Sequence, residues 1–153
     1  MNKVIISDAS CLIALDEIGQ IEILKSAFPQ IVTTKEVSAE FGKELPTWIS
    51  IKTLQNSAKR NELELVLDAG EASAIALALE NPKQSILIID EKKGRKIAKQ
   101  YNLEIIGTLR VLLLAKQNGV IPSVKNLVAE LTRKRFRFTN AVVNQILEEA
   151  NES

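Results

Sequence analysis

The chain has 153 residues, enough for one domain whose core needs no disulfide or metal staple. Twenty basic against nineteen acidic residues leave a net charge of +1, which excludes a uniformly basic glove and confines any polyanion binding to local patches. With no histidine and one cysteine, Cys11, the sequence excludes His-based triads, HExxH and Cys-rich zinc sites, and an internal disulfide. Any polar chemistry must come from carboxylates, hydroxyls, Lys and Arg, and carboxylates prefer hard cations such as Mg²⁺ or Mn²⁺.

VIIS (4–7) opens the pattern as a short apolar, β-branched run ending at Asp8. A helical pattern follows over about 11–27, with Ser10 placed as its N-cap and Cys11 as a small buried hydrophobe. QIVTT (30–34) is the next apolar run and leads into a helix over 35–43. That helix carries Glu36 and Glu40 one turn apart; Glu40, which flanks the apolar Phe41, is preferred as the one nearer the buried boundary. WISIKTL (48–54) alternates weakly and suits a short edge strand, and the polar stretch 55–66 suits a loop with a short helix.

LDAGEASAIALAL (67–79) spaces Glu71, Ala74, Ile75, Ala78 and Leu79 along one face of a helix over 70–81. Asp68-x-x-Glu71 approximates a capping box, which alone would account for Glu71. SILIID (85–90) ends at Asp90, a helix follows over 92–101, and LEIIG (103–107) leads into a helix over 108–118. After the turn NGVIPS, helices are expected at about 123–134 and 139–151.

Continuous apolar strands alternating with helices argue for an α/β layered domain with a mainly parallel sheet. In such sheets ligands bind beyond the carboxyl ends of the strands, where Asp8 and Asp90 emerge. Each of these acids has a local explanation as turn or cap chemistry, but together with Glu40 and Glu71 they would crowd one edge. Crowded carboxylates repel unless a cation joins them, and no basic residue interleaves these local motifs. A divalent metal is the economical partner. It would activate water and support in-line displacement at phosphorus without histidine.

Asp8-x-Ser10, VSAEF, GEASAIALALE and LIIDEKKGRKIAKQYNLEIIGTLRVLLLAKQNGVIP together resemble the PIN-domain nucleases, in particular the PIN-like branch related to VapC-type toxins. The likeness runs from Lys3 to about Leu147. It implies a single PIN-like domain over 1–153, three layers with a central mainly parallel sheet flanked by helices, and a helical C-terminal part at about 123–151. It further implies a Mg²⁺- or Mn²⁺-dependent endonuclease of single-stranded or structured RNA, the toxin of a type II toxin–antitoxin pair. Residue by residue, Asp8, Glu40, Glu71 and Asp90 would be catalytic and hold metal, with Ser10 and Glu91 in support. Many relatives carry aspartate where Glu71 stands, and here Glu91 follows Asp90 directly.

Lys92, Lys93 and Arg95, just past Asp90, are the candidate substrate contacts. RKRFRF (133–138) either grips single strands or is a solvated bend with Phe136 and Phe138 packed inward, well away from the metal. Expected partners are RNA, an antitoxin protein and a second copy of the chain as a homodimer. No membrane is expected: VIIS is too short for a signal peptide and VLLLA (111–115) for a span, so a cytoplasmic location is the expectation. Two rivals stand beside the nuclease: a catalytically degenerate PIN-like module that binds RNA or protein, and a receiver-like signalling domain, against which Gly107-Thr108 counts.

Overall fold

The computed structural model describes residues 3–153, so residues 1 and 2 of the expected domain span lie outside the described residues. Five strands form one parallel sheet: β1 (Val4–Ser7), β2 (Ile31–Thr33), β3 (Ile49–Ile51), β4 (Ser85–Ile88) and β5 (Glu104–Ile106), in the order β3-β2-β1-β4-β5. The order reverses beside β1, so the crevice beyond the carboxyl ends of β1 and β4 is the topological switch point.

The helices are α1 (Ala9–Glu17), α2 (Glu22–Ala27), α3 (Lys35–Phe41), α4 (Ala58–Leu63), α5 (Ala69–Glu80), α6 (Lys92–Gln100), α7 (Thr108–Gln117), α8 (Val124–Arg133) and α9 (Asn140–Glu149). Side chains alternate across the pleat and divide the core in two. Ile5, Ile31, Ile49 and Ile88 face a cluster with α1, α2, α7 and α8; Ile6, Val32, Leu87 and Ile89 face one with α4, α5 and α6. The result is the expected three-layer sandwich. Helices α8 and α9 reach the first cluster through Leu127, Leu131 and Ile146, and α9 packs against α7. Among the described residues, no helix is long and apolar enough to cross a membrane.

Two local expectations need correction. The helix read as continuous over 11–27 is two helices, because Gly19 takes a left-handed φ of 68° and its amide turns back to Asp16 O. Ser10 is not the N-cap of the first helix. Strand β1 ends at Ser7, the chain turns at once, and Asp8 Oδ1 accepts from the Cys11 amide, leaving Ser10 exposed in the first turn.

Candidate active site

Parallel strand–helix units bring helix N-termini to the carboxyl edge of the sheet, and acidic side chains occupy them. Asp8 caps α1, Asp68 caps α5 and Glu91 caps α6. Asp90 acts across the chain: its Oδ1 accepts from the Thr108 amide at 2.9 Å, its Oδ2 from the Thr108 hydroxyl, at the start of α7. Exposed N–H groups and helix dipoles favour negative charge here.

Asp8 lies deepest, at 2% exposure. Its two oxygens accept from the amides of Cys11 (3.0 Å) and Asp90 (3.2 Å), tying the ends of β1 and β4 together. Burial and the charge of Asp90 nevertheless push its pKa up to about 8, despite those two hydrogen bonds. Cys11 is fully buried beside them, and burial, then the charges of Asp8 and Asp90, raise its thiol well above the usual range.

Glu71 behaves differently from a capping-box glutamate. Half the box is present, since its amide donates to Asp68 Oδ1 at 2.8 Å. The side chain, however, does not return to an amide: among the described residues Oε2 is buried without any hydrogen-bond partner. Burial, then the neighbouring Glu91 and Asp68 carboxyls, push Glu71 up to about 9. A Cβ on Gly94 would come within 3.0 Å of that oxygen and 2.7 Å of Ile89 Cδ1, so glycine here leaves room for the carboxylate.

The reason for preferring Glu40 over Glu36 does not hold. Glu36 is the more buried of the two and is paired with Arg60 at 2.9 Å, whereas Glu40 is exposed. The Glu40 carboxylate instead rests over Gly70, where a Cβ would lie 2.7 Å from Oε1. Partial burial there, then the charge of Asp68, raise its pKa, and its own charge acts on Asp8. Two buried hydroxyls, Thr34 and Ser73, bond at 2.7 Å and hold α3 against α5, which sets Glu40 beside Asp68.

The acids therefore form a chain rather than a cage: Asp90 by Asp8, Asp8 in the field of Glu40, Glu40 by Asp68, Asp68 by Glu71, and Glu71 by Glu91. Among the described residues none of these six makes an ion pair; the seven pairs present all lie elsewhere. No three acidic or thiol side chains among the described residues are gathered closely enough to hold a metal as they stand. The donor chemistry suits a hard divalent ion that keeps several waters and takes only one or two carboxylates. The orphaned Glu71 Oε2 is the oxygen most in want of a cation.

Lys92 and Arg95 line a groove of about 770 Å³ that starts at Asp90, whereas Lys93 does not line it. Arg95 also donates to Ile89 O at 2.7 Å. Asp68 and Thr108 were not singled out for the site by sequence. Asp68 reads as an ordinary cap, and Thr108 meets Asp90 only through the fold.

A three-layer domain with an acidic edge at the switch point of a parallel 3-2-1-4-5 sheet, its acids in no ion pair among the described residues, is PIN-like in architecture. A family model described as a PIN domain matches residues 4–152, and the chain belongs to the PIN-domain family. Membership supports a nuclease-type, hydrolytic function, and such nucleases usually use divalent metals. No match was found among curated proteins or among solved structures.

Proposed function

We propose that the chain is a Mg²⁺- or Mn²⁺-dependent endoribonuclease of the VapC-like branch, the toxin of a toxin–antitoxin pair. The observation that carries this reading is the run of carboxylates at the switch point which, among the described residues, has no ion-paired cation and one buried oxygen, Glu71 Oε2, without a donor. Asp8, Glu40, Glu71 and Asp90 would hold the ion, with Glu91 beside Glu71 and Ser10, exposed in the first turn of α1, in support. A bound ion supplies Lewis acidity and a water activated near neutral pH, which a site without histidine otherwise lacks.

The chain's own groups would do the rest. Asp90 is held in one orientation by Thr108, so its carboxylate stays in the wall of the groove that would take the scissile bond. The test is a thermal melt with added Mn²⁺ beside cleavage of a labelled single-stranded RNA. Wild type should gain stability by mass action and yield 5′-phosphate ends, and Asp90→Asn should lose both effects. An unshifted melt together with intact RNA sinks the reading.

One observation favours the degenerate module instead: both oxygens of Asp8 and both of Asp90 are already engaged by hydrogen bonds. RNA binding without Mn²⁺-dependent stabilisation or cleavage would be its signature.

A further inference from the structure

We infer that the groove beside Asp90 is a two-walled track for single-stranded nucleic acid, with phosphates on α6 and bases on α9, so that substrate is held well beyond the acidic edge. The inference rests on the nuclease reading only for where the strand is cut; the track itself is argued from its own walls.

One wall is a face of α6, where Lys92, Arg95, Lys96 and Lys99 recur at i, i+3, i+4 and i+7. They extend over about 10 Å of helix, which matches about three phosphates at the 3.4 Å rise of a stacked strand. Lys92, Lys96 and Lys99 make no ion pair among the described residues, and Asp90 is the groove's one carboxylate. The floor is β5, at the edge of the sheet.

The opposite wall has another character. Phe138 lines it with Val142 and Gln145 of α9, and Arg137 stands at the same bend. Phe138 is half-buried against the main core, so its ring is fixed while it faces the groove. Flat apolar surface beside an amide suits a base, which has stacking faces and a hydrogen-bonding edge. An acidic peptide would match the α6 wall and leave the α9 wall unused. A second hollow of about 470 Å³ shares Arg137 and Phe138, so the path continues around the RKRFRF bend. Both readings of that bend find support: Phe136 and Phe138 pack inward, yet Arg137 and Phe138 share a groove with Asp90.

The experiment is fluorescence anisotropy with a labelled single-stranded RNA of mixed sequence, in EDTA so that no metal-dependent cleavage can occur. Lys96→Glu combined with Lys99→Glu should weaken binding about tenfold and lower the salt slope by about 1.4, the loss of two single-strand phosphate contacts. Phe138→Leu, which keeps apolar contact with the core, should weaken it about tenfold with the salt slope unchanged. Lys83→Glu, an exposed lysine before β4, should bind as wild type does.

Equal loss in Lys83→Glu, an unchanged salt slope in the α6 variant, or tighter binding of polyglutamate than of RNA would overturn the track. Failure of the two readings is separable. RNA held through α6 but never cut with Mn²⁺ sinks the nuclease alone, whereas RNA cut normally by the α6 variant at wild-type affinity sinks the track alone.

Discussion

Glu71→Gln should make the metal-free protein more stable, although it alters the proposed site. The native carboxyl has a buried oxygen without a donor, and Asp68 and Glu91 stand close to it. Its pKa is raised from 4.5 to about 9, so folding at neutral pH must take up a proton that the unfolded chain does not hold. From 4.5 to 7 this costs about 3 kcal/mol if unscreened. The side chain is only partly buried, and solvent screening brings the figure to roughly 1–2 kcal/mol. The sign follows from the raised folded-state pKa: below about pH 4.5 both states are protonated and nothing is lost, and the penalty grows as pH rises towards 9.

Glutamine is neutral throughout, and its amide can donate to Glu91 or Asp68. Urea denaturation in EDTA at pH 4 and pH 7 tests this. The variant should match wild type at pH 4 and exceed it at pH 7 by roughly 1–2 kcal/mol, or about 2–8 °C in Tm for a chain of this size. A variant equal to or weaker than wild type at pH 7 refutes the reasoning, as does a gain that is the same at both pH values.

The carboxylate of Glu152 is a second test. Burial would raise its pKa, but Ser123, the amides of Val124 and Lys125, and Lys116 outweigh that and hold it near 2. Its contribution is present above pH 4.5 and lost as pH falls towards 2. Glu152→Gln should therefore cost about 1 kcal/mol at pH 7 after screening, and nothing at pH 2, by denaturant melts. Cys11, fully buried with its thiol pKa raised, should react with a thiol reagent only as fast as the protein opens. Labelling of the native protein at the rate of a free thiol would contradict its placement.

The strands were legible because buried parallel strands are continuous apolar runs, and even the weakly alternating β3 fell where 48–54 pointed. Helices α3, α5, α6, α7, α8 and α9 were found from apolar spacing and Gly or cap punctuation. Apolar spacing does not reveal the break at Gly19, because Leu12, Leu15, Ile23 and Leu24 all enter one core cluster and the pattern runs on through the turn. Within the candidate site, Asp8 and Asp90 could be placed from strand ends alone. What a linear pattern does not carry is which partner each acid finds: Thr108 with Asp90 and Asp68 between Glu40 and Glu71 depend on contacts across the fold. Nor does it carry the relative burial of Glu36 and Glu40, since Arg60 reaches Glu36 from a distant helix.

The double duty of the strand-end acids bears on how the site can age. Asp8 fastens α1 to the sheet and Asp90 fastens α7, so a descendant that abandoned catalysis would still be selected to keep both. The Glu71 side chain faces the carboxyls of Asp68 and Glu91 and burdens the metal-free fold, so it is the first acid that drift would discard once chemistry ceased to matter. Across descendants of this chain, an intact Asp8 and Asp90 would attest only to architecture. A retained acid at position 71 would attest to a working site.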